Sequence, residues 1–258
     1  MAEPRNDLRP PLEAVIFDAG GTLVRLDFEW IGSMLAGLGV DADFAALRRA
    51  EVRGRRMYDA SAKPPKRLAP REDTRPETLA SISAYFAGML EGVGCRHPVL
   101  EEAVAAMFGR QDSGHLLWAR TNEGAREAID GVRALGLRAA CVSNSDGRAE
   151  EHLVETGTRE GLEFVVDSHI EGVEKPDPKI FHIALGRMGV APERALYVGD
   201  IRSVDEIGAQ AAGMQFVLID PFGDYAGDAT PSIASIGRLP EHVRERFETP
   251  AAKERATS

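Results

Sequence analysis

Short apolar runs alternating with stretches of helical periodicity constrain this 258-residue chain more than any other feature. The first run, Glu13 to Phe17, is entered after Pro10 and Pro11 and halted by Asp18 and the Gly20-Gly21 pair, as a buried strand would be. Further runs of strand length follow at Leu137 to Ser143, Phe164 to Val166, Ala195 to Val198 and Met214 to Ile219. Between them lie helical patterns. From Glu123, apolar Ala125, Ala128, Ile129, Val132 and Leu135 recur three and four residues apart until Gly136 stops them. Arg148 to Glu155, Lys179 to Met188 and Ser203 to Ala212 read the same way. Strands nearly continuous in apolar residues and separated by helices predict a parallel α/β sheet, with right-handed crossovers and helices on both faces.

One stretch breaks the alternation. Between about Leu26 and Gln111 only helical candidates appear, at Phe28 to Leu38, Asp43 to Met57, Glu77 to Gly92 and His97 to Phe108. The expected division is a core of 12–25 and 112–248, a helical insertion at 26–111, and frayed ends at 1–11 and 249–258. Lid motion is expected about linkers near Val24 to Asp27 and Gln111 to Thr121. Asp59 to Arg75, with Pro64, Pro65, Pro70 and five basic residues, reads as a mobile loop. Thr230 to Phe247 has room for a short strand and a helix.

Charge and composition exclude several classes. Lys and Arg total 31 against 41 Asp and Glu, a net charge of −10, the wrong sign for holding a phosphate backbone or an anionic membrane. No run approaches the roughly 20 apolar residues that span a bilayer. The opening residues carry acids and prolines where a signal peptide needs an apolar core, so a cytoplasmic protein is expected. The two cysteines, Cys95 and Cys141, form no CxxC pair and read as small core residues.

In an open parallel sheet the ligand crevice lies beyond the carboxyl ends of the strands. Four blocks fall at or near such ends: Phe17-Asp18-Ala19-Gly20-Gly21-Thr22, Val142-Ser143-Asn144, Glu174-Lys175-Pro176-Asp177-Pro178, and Val198-Gly199-Asp200 with Asp205 beyond. Each has a plainer reading as a turn, a helix cap or a solvated loop. Together they suit attack on a phosphoryl group bound through magnesium. Asp18 is the candidate nucleophile, and Asp18 and Asp200 could supply hard oxygen ligands to Mg2+. Asp205 is a third ligand or a support for the others. Ser143 and Lys175 would donate to the phosphoryl oxygens, with Asn144 and Thr22 completing the expected phosphate-binding set.

Taken in order, Asp18-Ala19-Gly20-Gly21-Thr22-Leu23, Ser143-Asn144, Lys175-Pro176-Asp177-Pro178 and Gly199-Asp200 with Asp205 resemble the four motifs of the haloacid dehalogenase-like hydrolase superfamily. The resemblance implies a Rossmann-like core, a helical cap inserted after the first motif, nucleophilic Asp18, magnesium at Asp18 and Asp200, and Ser143 and Lys175 on the phosphoryl group. It also implies a small phosphorylated substrate. Phosphatases of this superfamily normally carry a second aspartate two residues after the nucleophile as general acid and base. Here that position is Gly20, whose carbonyl can still ligate the ion but whose side chain supplies no proton. Three readings follow. They are a magnesium-dependent phosphohydrolase using a good leaving group, water or a cap carboxylate such as Asp27 or Glu29; a silent phosphate-binding or interaction protein; and a carbon–halogen or carbon–phosphorus hydrolase. None of the six histidines is given a chemical role, although His169 is placed near the pocket mouth. Trp30 and Trp118 are expected to pack in the cap or hinge.

Overall fold

A computed structural model describes residues 9–61 and 75–252. In chain order the elements are β1 (Ala14–Phe17), β2 (Val24–Arg25), α1 (Phe28–Gly37), α2 (Phe44–Ser61), α3 (Arg75–Gly92), α4 (Val99–Asp112), β3 (Arg120–Thr121) and α5 (Ala125–Ala134). They continue with β4 (Arg138–Ser143), α6 (Ala149–Glu155), β5 (Val165–Asp167), α7 (Ser168–Glu171), α8 (Pro178–Met188) and β6 (Ala195–Gly199). The last are α9 (Ile207–Ala211), β7 (Gln215–Ile219), β8 (Ser232–Ile233) and α10 (Leu239–Arg246).

Six strands form one sheet in the order β5-β4-β1-β6-β7-β8, with every neighbouring pair parallel. β1 lies inside it, which is why its residues are apolar without alternation: Val15 and Phe17 enter one core, Ala14 and Ile16 the other. The first core is roofed by α5, through Ala125, Ala128, Ile129 and Val132, and by α10, through Leu239 and Val243. The second is roofed by α8, through Ile180, Phe181, Ala184, Leu185 and Met188. The α/β class with helices on both faces is therefore the observed one.

Helices α1 to α4 enclose a third apolar cluster around Phe86, Met89 and Leu90, which Leu117 also joins. α2 and α3 approach closely at Gly54, where a Cβ would fall 2.6 Å from the Tyr85 carbonyl oxygen. The two crossings between this cluster and the sheet are zipped together as an antiparallel pair, Val24 opposite Thr121 and Arg25 opposite Arg120. The sequence gives no sign of that pairing, because strands so short carry no periodicity.

Three boundaries differ from expectation. Asp59 to Ser61, assigned to a loop, belong to α2, and Asp59 is held by the Ser203 backbone N–H at 2.8 Å. The rest of that expected loop, 62–74, lies outside the described residues. The helix expected over Ser203 to Ala212 is instead a π-helical turn, Arg202–Glu206, followed by α9. Such widened turns are frequent at functional sites. The described part of the chain ends is packed rather than frayed: the Leu12 N–H donates to Glu248 and the Ala251 N–H to Leu135, while Thr249 is buried.

Candidate active site

The carboxyl ends of β1, β4 and β6 converge on one buried cluster. Asp18 follows β1 directly, and its backbone N–H donates to Val198 of the neighbouring β6 at 2.9 Å. Lys175, on the loop between α7 and α8, reaches under the sheet end. Its Nζ donates to Asp18 Oδ1 at 2.5 Å, to Asp205 Oδ1 at 2.7 Å and to the Tyr197 hydroxyl at 2.9 Å. The Tyr197 hydroxyl in turn donates to the Val142 carbonyl at 3.0 Å. Asp205 uses its other oxygen to accept the backbone N–H groups of Asp200 and Ile201, at 3.1 and 3.0 Å. The ammonium thus has all three of its donors spoken for, and the loop carrying Asp200 is pinned by Asp205.

Oxygen atoms of Asp18, Asp200 and Asp205 lie within 4.8 Å of one another, and all three residues are buried. Burial pushes the Asp18 carboxyl up to about 6, against the opposing pull of Lys175. Burial raises Asp200 well above the usual carboxylate range, with Arg55 pulling it down and Asp18 and Asp205 adding to the rise. Lys175 loses solvation too, but Asp18 and Asp205 overcome this and hold its ammonium well above the ordinary lysine range. Asp200 Oδ1 is buried with no hydrogen-bond partner. Crowded carboxylates with an orphaned oxygen fit a hard divalent cation such as magnesium, held by Asp18 and Asp200. Both Asp205 oxygens are already taken, which suits it to supporting the loop.

The remaining expected residues divide. Ser143 and Gly20 line the same cavity as Asp18, Lys175, Asp200 and Asp205, a space of about 330 Å³. Asn144 lines it too, with its side-chain amide clamped on Lys175: Oδ1 accepts the Lys175 N–H at 2.8 Å and Nδ2 donates to the Lys175 carbonyl at 2.9 Å. That clamp fixes the lysine backbone. Thr22 is absent from the cavity wall. The turn that closes with the Gly21 N–H on Val24 buries its hydroxyl without a partner.

The cap carboxylates expected as proton donors do not reach the centre. Asp27 caps α1 through the Trp30 N–H and is paired with Arg110 at 2.8 Å and Arg120 at 3.3 Å. Glu29 is bound by Arg25, which holds its carboxyl down at about 2, so it carries no proton near neutrality. Neither lines the cavity, and nor does His169; the histidine in the wall is His152.

Sequence reasoning missed an arginine. Arg55 Nε, from α2, lies 3.0 Å from Asp200 Oδ2, an electrostatic contact whose angle falls short of a hydrogen bond. Behind it Glu51 accepts from Arg55 at 3.2 Å and from the Tyr85 hydroxyl at 2.7 Å, and all three side chains are buried. Glu51 and Arg55 sit four residues apart on a helix, a spacing indistinguishable in sequence from a solvated surface pair. Trp118, expected to pack in the cap or hinge with a substrate-facing role left open, bridges the cap cluster and the first core and also lines the cavity, its indole 3.4 Å from where a Gly20 Cβ would stand.

Gly21 is the glycine this centre cannot lose. Its φ is +77°, and a Cβ there would fall 2.1 Å from Asp200 Oδ2. Gly21→Ala should cost about 1–3 kcal/mol from the backbone conformation alone. It should also weaken Mg2+ binding, because Asp200 must move; urea unfolding and a calorimetric Mg2+ titration measure the two effects. Unchanged midpoint and affinity would contradict this geometry.

Comparison with known proteins gives a consistent picture. Residues 12–213 match the profile of the haloacid dehalogenase-like hydrolases. Haloacid dehalogenase-like hydrolase domain-containing protein 3 of Mus musculus is 42% identical over 112 residues, 42% of this chain and 45% of that protein, so the match spans less than half of either. A phosphoserine phosphatase of Thermus thermophilus is 39% identical over 90 residues, 34% of this chain and 36% of that one. Among solved structures, a HAD family hydrolase from Deinococcus radiodurans with bound phosphate and sodium superposes with a TM-score of 0.57 at 24% identity, covering 92% of this chain and 96% of that one. That likeness concerns the fold.

Proposed function

The chain belongs to the haloacid dehalogenase-like hydrolase family, and from that premise we propose that it is a magnesium-dependent phosphohydrolase acting on a small phosphorylated metabolite through an aspartyl-phosphate on Asp18. The observation that carries this reading is the junction of Asp18, Lys175 and Asp200 on the wall of one cavity. In the first step an Asp18 oxygen forms a bond to phosphorus while the ester P–O bond breaks, and the leaving oxygen departs as the anion or takes its proton from solvent water. In the second, water attacks the same phosphorus, releasing inorganic phosphate and regenerating the carboxylate. Lys175 orients Asp18, and Ser143 donates to the phosphoryl oxygens. Magnesium, held by Asp18, Asp200 and the Gly20 carbonyl, would neutralise charge on the phosphoryl group. Phosphatase names among the relatives agree with this reading.

With Gly20 in place of a carboxylic acid and Asp27 and Glu29 engaged elsewhere, the leaving group must depart with little help. Aryl and acyl phosphates should be preferred to alkyl esters, with a burst preceding a slow steady state. The direct test is nitrophenol release from p-nitrophenyl phosphate with and without Mg2+. Turnover that needs the metal supports the proposal; metal-independent turnover, or none, counts against it.

Gly20 has an ordinary backbone conformation, and a Cβ there meets only the Trp118 indole edge at contact distance. Gly20→Asp should fold normally and raise turnover of alkyl phosphates by at least about tenfold, the low side of what a placed acid supplies. An unchanged steady-state rate would mean that another group already moves the proton.

A further inference from the structure

The cavity beyond the phosphoryl site has a definite chemical character. Leading away from Asp18 and Lys175, its described wall includes Tyr58, Ile82, Tyr85, Leu116, Leu117 and Trp118, contributed by α2, α3 and the segment after α4. Tyr85 and Trp118 lie 6.1 Å apart between ring centroids, and Phe86 backs Trp118 at 5.9 Å, so the aromatic part is firmly supported. Tyr85 spends its hydroxyl on Glu51 and presents no free donor through it.

The polar part of the wall is one-sided. Carboxylates come from Asp18, Asp146, Glu174, Asp200 and Asp205, whereas Lys175 is the only lysine or arginine among the described lining residues. Its ammonium is already shared among three acceptors. The nearest surface cation beside Asp146 is Arg148, which pairs with that same aspartate at 3.0 Å. A substrate with a second anionic group, whether a carboxylate or another phosphate, would be desolvated against these acids with no further cation among the described lining residues to meet it. An uncharged apolar or aromatic group would instead exchange water for Ile82, Leu117 and Trp118.

From this we infer that the substrate is a monophosphate whose organic part is apolar, preferably aromatic, and carries no second negative charge. The inference rests on the phosphohydrolase reading for the word substrate, but the recognition it describes is a property of the cavity and can be measured without turnover.

The test pairs binding with hydrolysis. Benzylphosphonate and 3-phosphonopropionate share a non-hydrolysable head and differ only in the tail. Calorimetric titration of each into the full chain with Mg2+ should show benzylphosphonate tighter by at least about tenfold, as expected when a phenyl ring leaves water for an apolar wall. Equal or tighter binding of the carboxylate tail overturns the inference. Ile82→Lys should narrow the gap between benzylphosphonate and 3-phosphonopropionate by about tenfold, and Leu116→Gln, at a half-buried position, should weaken benzylphosphonate alone; selectivity unmoved by both variants in folded protein also overturns it. Hydrolysis of benzyl phosphate against phosphoserine, both alkyl esters, then separates the two claims. Preferred benzyl binding without turnover of either ester sinks the hydrolase reading and leaves the inference standing, whereas turnover that favours phosphoserine does the reverse.

Discussion

Asp18→Asn is expected to lower p-nitrophenyl phosphate turnover by at least about 10⁴-fold, since an amide oxygen cannot replace the carboxylate as nucleophile. The same substitution should make the metal-free protein more stable near neutral pH. Asp18 has a folded pKa of about 6 against 3.8 for the free side chain, because burial outweighs the help from Lys175. A carboxyl raised in this way contributes its full stability below pH 3.8, and the contribution is lost as pH climbs through 6. The loss amounts to about 3 kcal/mol for a shift of this size. Asparagine never ionises, so in EDTA at pH 7.5 the variant should gain up to that amount, and its melting temperature should vary less than the wild type's between pH 4 and 7. Mg2+ should reverse the order by binding the wild-type carboxylate. A variant that keeps turnover would remove Asp18 from the chemistry. One that melts lower in EDTA would show that the Lys175 pair outweighs the burial of the charge.

Lys175→Met should be the most destabilising single change at the centre. It leaves Asp18 and Asp205 buried without their shared cation, and breaking a buried pair from one side typically costs about 3–5 kcal/mol. Activity should disappear with it. Lys175→Arg should not rescue either property, because a planar guanidinium cannot place one nitrogen within reach of Asp18, Asp205 and Tyr197 at once. Urea unfolding in EDTA measures the loss, and saturating Mg2+ should narrow it by supplying another positive charge. Combining the change with Asp18→Asn should recover part of the stability, since neutralising the acid removes what the missing ammonium left uncompensated. Additive effects in that cycle would mean that the two side chains do not interact as their 2.5 Å contact indicates.

Both predictions concern residues visible in the sequence, and the reason is local. Asp18, Ser143 and Asp200 stand at or directly after strand ends that an apolar run announces, and a parallel sheet brings such ends together whatever the details of its packing. The run of helices between β2 and β3 was visible too, because four helical candidates without an intervening strand cannot extend the sheet. Thr22 and Asn144 were assigned from their places in the motifs. A turn takes Thr22 off the cavity wall and a side-chain clamp ties Asn144, on that wall, to Lys175; neither leaves a periodic trace.

The sequence by itself determined the parallel α/β core, the order of its strands along the chain and the cluster of chemistry at their carboxyl ends, since these follow from apolar periodicity and from handedness rules that act over neighbouring elements. Only the tertiary structure decided that Arg55 of α2 lies against Asp200, that Asp27 and Glu29 are held away from Asp18, and that Trp118 occupies the space beside Gly20. Those contacts join residues far apart in the chain through packing of one helix layer on another, and packing depends on the shapes of surfaces that no local pattern of residues encodes.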